Sequence, residues 1–175
     1  MRDGAQATGA VARRRMAVGE LAIWRALIDT TAELRRILGT QLLQETGLSP
    51  ADYQVMLALS EANGRRLRSS ELAAAIDWER SRLSHHLGRM EGRGLIRRDD
   101  CPTDNRGAEV SLTGEGAEMF RRATAPHMRA VKKHFADALT PEQFEALDDI
   151  LRTLQSHLHP EPAAAPAAPA KGESS

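Results

Sequence analysis

Cysteine is almost absent from this chain. Cys101 stands alone among 175 residues, so no disulfide can form within it. A small fold stapled by disulfides is excluded, and a reducing compartment is the expected setting. Aromatic residues are equally scarce, at two Trp, one Tyr and three Phe. The core must therefore rest on Leu, Ile, Val, Met and Ala. No apolar run is long enough to span a bilayer. The opening stretch MRDGAQATGAVARRRMAVGE has an arginine cluster with no apolar segment behind it, which does not fit a secretory signal. A cytoplasmic location with no membrane partner is the expectation. No Gly-rich phosphate loop, H-E-x-x-H pair or nucleophile elbow is found, so an enzyme reading has no positive support.

Net charge is also missing: 24 basic side chains balance 24 acidic ones. The balance is uneven along the chain. Ten Arg face seven Asp or Glu between Arg65 and Arg106, whereas residues 141–175 carry two basic and six acidic groups. A basic middle is compatible with a polyanionic partner, and distribution matters more here than the sum.

What is present is helical periodicity, in a sequence rich in Ala, Leu, Arg and Glu. Residues 1–19 read as a disordered basic leader carrying Arg13, Arg14 and Arg15. Residues 160–175, Pro- and Ala-rich, read as a disordered tail. Between them, Leu21, Trp24, Leu27, Leu34, Leu38 and Leu42 repeat at three- and four-residue spacing, which predicts a long helix ended by Gly47. Ser49-Pro50 starts a second helix, with Tyr53, Val55 and Met56/Leu57 inward, and Asn63-Gly64 stops it. Ser69 or Ser70 caps a third helix, ELAAAI. After Asp77-Trp78-Glu79 comes a fourth, RSRLSHHLGRM. Gly92 and Gly94 break it, and LIRR and AEVSL follow as two strands of a hairpin. Thr113 caps a fifth helix, which Pro126 should kink or split. Thr140-Pro141-Glu142-Gln143 is a capping box opening a last helix, with Phe144, Leu147, Ile150/Leu151, Leu154 and Leu158 on one face. The fold class is mainly α with a little β: a winged helix-turn-helix over about 49–113, flanked by amphipathic helices at about 20–46 and 114–158. Those flanking faces need a cover, and a second subunit is the economical one.

On a helical wheel the fourth helix turns Leu83, Leu87 and Met90 inward and brings His86 near the buried side. Ser81, His85 and Gly88 lie opposite, with Arg82 and Arg89 on one flank and Ser84 on the other. Hydroxyl, imidazole and guanidinium groups of this kind can reach base edges and phosphates in a major groove. The plainer reading is a solvated helix face. The hairpin tip, Asp104-Asn105-Arg106-Gly107, offers one arginine able to enter a narrow minor groove. By itself that tetrapeptide is an ordinary turn, and it gains weight from following a helix-turn-helix.

The stretch ELAAAIDWERSRLSHHLGRMEGRGLIRRDDCPTDNRGAEVSLTGEG resembles the central segment of the MarR (multiple antibiotic resistance regulator) family. The matching parts, in order, are the E-L-A helix, a recognition helix closing in R-M-E, the R-G-L-I-R-R lead into the wing, the D-x-R-G tip and V-x-L-T-x-x-G. The resemblance implies a homodimeric transcription regulator that binds palindromic double-stranded DNA, with first and last helices in a shared dimerisation region. At matching positions it assigns DNA contact to Arg80, Ser81, Arg82, Ser84, His85 and Arg89 in the helix, and to Asp104 and Arg106 in the wing. His85-His86 departs from the Arg that many relatives carry first, which leaves base preference open. Phosphates would favour the protonated form of His85, and with it tighter binding on the acid side of neutrality. A small-molecule effector is implied between the two regions, where Trp24 or Trp78 would line a pocket. Packing is the simpler role for both tryptophans. Cys101, beside Asp100, is a poor candidate for redox sensing. The histidines do not converge on a metal site, and no cofactor is expected. The competing readings are a protein-interaction module, or a ligand sensor without DNA binding, on the same fold.

Overall fold

A computed structural model of the chain describes residues 15–100 and 108–160. The order of elements is α1 (Val18–Thr46), α2 (Pro50–Glu61), β1 (Arg66–Arg68), α3 (Ser69–Ala75), α4 (Arg80–Gly92), β2 (Ile96–Asp100), β3 (Ala108–Leu112), α5 (Gly114–His134) and α6 (Pro141–Leu158). Short 3₁₀ turns at Asn63–Arg65 and Ala136–Ala138 join β1 to α2 and α6 to α5. The chain divides into two compact units after Lys132. Among the described residues no helix is long and apolar enough to cross a membrane.

The helix starts follow the local chemistry. Ser49 Oγ accepts the Asp52 N–H at 3.1 Å, and the Asp52 carboxylate accepts the Ser49 N–H at 3.0 Å. Thr113 Oγ1 accepts the Gly116 N–H at 2.9 Å at the head of α5. Thr140 and Gln143 exchange the same pair of bonds ahead of α6. At α3 the expected serine cap is replaced. The Glu71 carboxylate accepts the Arg68 N–H at 2.9 Å, while Ser69 Oγ donates to the Ala108 carbonyl at 2.9 Å. Ser69 thus ties α3 to the sheet.

Two strands are expected from the sequence, and the sheet has three. Its order is β1-β3-β2, all antiparallel, with Leu67 and Arg98 both opposite Val110. β1 is only Arg-Leu-Arg, too short for an alternating pattern to register, and its pairing with β3 comes from the tertiary fold. The expected break at Pro126 does not occur. α5 runs from Gly114 to His134 with Pro126 inside it. One missing N–H in a helix of 21 residues is tolerated when packing on either side holds the axis, and Ala123 and Ala130 are both buried.

The core gathers Leu48, Val55, Met56, Leu59, Leu72, Leu83, Leu87, Met90, Leu95, Ile96 and Val110, each with at most 2% of its surface exposed. Tyr53 packs against Phe120 and His127, at 5.1 and 4.6 Å between ring centroids, and so joins α2 to α5. The closest approach is at Gly116. A Cβ there would sit 1.9 Å from the Leu95 carbonyl oxygen, so only glycine lets α5 lie against the lead into β2. Along α1, by contrast, Leu21, Ile23, Trp24, Leu27 and Ile28 are exposed. In the second unit Ile150, Leu151, Leu154 and Leu158 are exposed on α6, while Phe144 meets Phe135 edge-on at 5.4 Å.

Candidate nucleic-acid interface

α4 is set against α3 by a tight turn. Asp77 adopts a left-handed conformation with φ 53°, which Asp tolerates better than most residues, and the Trp78 N–H donates back to the Ala73 carbonyl at 2.9 Å. The α4 wheel holds as expected: Leu83, Leu87 and Met90 are buried, and so is His86. Arg80, Ser81, Arg82, Ser84, His85, Gly88 and Arg89 are all exposed. All six helix residues expected to meet DNA therefore share one solvent-facing arc. Arg82 and Arg89 border one edge of it, Arg80 and Ser84 the other. No carboxylate interrupts the arc between Arg80 and Glu91. Beside it, a hollow of about 290 Å³ is lined by Ser69, Ser70, Arg80, Ser84, Arg98 and Ala108, so the helix edge continues into the sheet.

The expected wing contacts, Asp104 and Arg106, lie outside the described residues, as does Cys101. What holds the wing's base is described. Glu91 accepts the Arg98 backbone N–H at 3.1 Å and its Nε–H at 2.9 Å, and these bonds hold the Glu91 carboxyl below the ordinary carboxylate range. Gly94 takes φ 71°, and its carbonyl accepts the Thr113 hydroxyl at 2.6 Å. The R-M-E and R-G-L-I-R-R segments are thus largely structural. They fasten the recognition helix to the wing.

Asp52 was not evident from the sequence as anything but a helix-start residue. It is 3% exposed, and it accepts Arg93 Nη1 at 2.8 Å as well as the Ser49 N–H. Burial pushes its carboxyl up. The bonds from Arg93 and Ser49 together outweigh burial and leave it below the ordinary range. On its other side, Asp52 Oδ1 lies 3.1 Å from His86 Nε2, a close contact without the alignment of a full hydrogen bond. His86 Nδ1 receives Arg89 Nη2 at 2.8 Å. A guanidinium can only donate, so Nδ1 carries the lone pair and the ring is neutral. Burial is the main cause holding His86 below its ordinary value, and Asp52 only partly offsets it.

The two tryptophans occupy different settings. Trp24 is half exposed on α1. Trp78 packs against the core, with the Arg82 guanidinium 4.1 Å from its ring centroid and His86 edge-on at 5.3 Å. The shallow hollow at Trp78 is lined by residues of α3, the turn and the start of α4, and Trp24 is not among them. A cavity of about 440 Å³ lies elsewhere, between α2, β3 and α5, lined by Ser60, Arg65, Leu112, Phe120, Arg121 and Thr124 among others. Among the described residues no group of three or more His, Cys, Asp or Glu side chains is arranged to hold a metal.

A helix-turn-helix with an exposed, carboxylate-free cationic face, buttressed by a three-stranded wing, defines a winged-helix regulator. The MarR family model matches residues 46–107. AbsC, a MarR family transcriptional regulator from Streptomyces coelicolor, is 38% identical, with a TM-score of 0.75 over 83% of this chain and 98% of that one. Sco3205, a MarR family regulator from the same organism whose structure is in complex with DNA, is 39% identical, with a TM-score of 0.76 over 84% and 96% of the two chains. The transcriptional regulator HosA of Escherichia coli O111:H- is 32% identical over 109 residues, 62% of this chain and 78% of HosA. The chain belongs to the MarR family of DNA-binding transcriptional regulators.

Proposed function

We propose that the chain is a cytoplasmic homodimeric repressor that reads a palindromic operator and is released by a small molecule. The observation that carries DNA reading is the exposed arc of α4, with three arginines, two serines and His85 and no carboxylate among them. A polyanion meets only donors and cations there. The DNA complex of Sco3205 supports the same use of this helix. Ser81 and His85 contact base edges. Arg80, Arg82 and Arg89 contact the backbone, with Ser84 beside them. Arg106, oriented by Asp104, reaches the minor groove.

The dimerisation region is formed by residues 20–46 and 114–158. The exposed apolar residues of α1 and of α6 support this, since each helix leaves a stripe that a second copy would cover. A dimer so joined spaces its recognition helices by roughly 34 Å, one duplex turn. The effector acts by binding more tightly to a dimer whose helices are mis-spaced, because equal affinity for both states would shift nothing. Trp24, Trp78 and the cavity near Phe120 and Arg121 are the places for it.

The test is selection from a randomised duplex library by the full-length protein, with His85→Ala and Arg106→Ala beside it. Enrichment of an inverted repeat, altered base preference in His85→Ala and weaker binding in Arg106→Ala are expected. No enrichment at low salt from a confirmed dimer would sink the reading.

A further inference from the structure

A run of side chains along one flank of α4 links its exposed arginines to the first turn of α2. It begins with the Arg82 guanidinium, 4.1 Å from the Trp78 ring centroid. Trp78 meets the His86 ring edge-on at 5.3 Å. His86 Nδ1 accepts Arg89 Nη2 at 2.8 Å, and Nε2 faces Asp52 Oδ1 at 3.1 Å. Asp52 is fixed by Arg93 and by the Ser49 N–H. Arg82, His86 and Arg89 are four and three residues apart, so they are neighbours on one side of the helix. Both arginines would swing freely if they were merely solvated. Instead each is held from the protein side by a ring whose own position the core fixes. Trp78 packs on the core, and the His86 side chain is only 8% exposed.

We propose that Trp78 and His86 are positioning residues for DNA reading, holding the Arg82 and Arg89 guanidinium groups in the directions from which they meet the duplex. The proposal rests on α4 being the DNA-reading helix. Stacking on Trp78 occupies one face of the Arg82 guanidinium and leaves its N–H edge free to donate. The His86 bond takes one Arg89 N–H and leaves the others. Removing either ring keeps the positive charge and loses its direction. The salt-sensitive attraction common to all duplexes then persists, while discrimination of the operator falls.

The experiment uses full-length protein and two duplexes of equal composition: the sequence selected by wild type, and a scrambled one. The ratio of their Kd values is read at several salt concentrations for His86→Met, Trp78→Leu, Arg89→Ala, Arg82→Ala and the two paired double variants. His86→Met and Trp78→Leu should each lower the ratio about tenfold, the size of one lost directed contact. Scrambled-duplex affinity should stay within about twofold, and the salt slope should hold. Trp78→Phe, which restores a ring, should recover most of the loss. In the Arg89→Ala background His86→Met should add nothing, and likewise Trp78→Leu in Arg82→Ala. Full, independent penalties in the double variants would overturn the proposal, as would unchanged ratios in the single ones. Should a core variant fail to fold, Arg89→Lys and Arg82→Lys on the exposed face decide the matter. They keep the charge without the planar fork, and an undiminished ratio in both would overturn it. A wild type that selects no sequence would overturn the DNA reading itself, and this proposal with it.

Discussion

Arg93 Nη1 lies 2.8 Å from Asp52 Oδ2, so the residue that closes α4 is tied to the first turn of α2. Arg93 also reaches the Gly47 carbonyl at 3.4 Å, and the Asp52 side chain is almost wholly buried. Asp52→Ala removes a helix cap and this ion pair together, and deprives His86 of its acidic neighbour. The expected cost is about 2–4 kcal/mol, read as the shift in urea midpoint at constant m. The pH dependence has a fixed sign. The folded-state carboxyl titrates below its ordinary value of 3.8, so its contribution is complete above the unfolded pKa and is lost as pH falls through the folded one. Asp52→Asn should therefore flatten the acid limb of the stability curve. An unchanged acid limb would show that Asp52 carries no linkage.

Gly116 makes a second, purely steric prediction. Its Cβ would overlap the Leu95 carbonyl oxygen at 1.9 Å, and backbone cannot rotate aside as a side chain does. Gly116→Ala must move α5 away from the lead into β2, and a loss of about 3 kcal/mol or more is expected. Gly88→Ala is the control. It lies on α4 with nothing within 4 Å of the added carbon, and should be neutral or slightly stabilising. Thermal melts of the two variants, compared with wild type, test both.

These two sites mark what can be read without coordinates. The α4 wheel was legible because a 3.6-residue period separates Leu83, Leu87 and Met90 from Ser81 and His85 whatever lies around the helix. The caps at Ser49, Thr113 and Thr140 were legible because they are local. β1 was not, since three residues carry no pattern and its partner β3 lies more than 40 residues away. The Asp52–Arg93 pair and the Gly116 contact are likewise long-range. The same holds for the ring contacts behind Arg82 and Arg89: adjacency of His85 and His86 shows that they diverge, and only the fold shows that His86 meets Asp52.

That divergence gives a prediction about binding and pH. Arg89 needs the neutral form of His86, because a protonated Nδ1 cannot accept. Burial holds the His86 pKa below its ordinary value of 6.5, so the arrangement is complete at neutral pH and fails as pH falls through that lowered value. His85 is exposed on the DNA-facing arc, and phosphates there favour its charged form, which acts in the opposite direction. With His85→Ala the opposing effect is removed, and operator affinity should fall on acidification below the ordinary histidine range. Fluorescence anisotropy of this variant from neutral pH downward tests the sign. A rise in affinity would mean that His86 protonation does not disturb Arg89.

The exposed apolar stripe of α1 leads to the last prediction. Leu21, Trp24, Leu27 and Ile28 fall at spacings of three and four, and each leaves more than a third of its surface in water. A single stripe of this size on an isolated chain favours association, and a second copy offers the same stripe in return. Leu27→Asp places a charge in the middle of it. Burying that charge unpaired costs more than a helix–helix contact returns, so the variant should sediment as a monomer at concentrations where wild type is a dimer. Leu27 is 44% exposed, so the variant chain should keep its helical circular dichroism. DNA binding should then weaken far more for a duplex bearing two half-sites than for one bearing a single half-site, because only the former uses the coupling between copies. Equal losses on the two duplexes would mean that the α1 stripe serves something other than joining two DNA-reading halves.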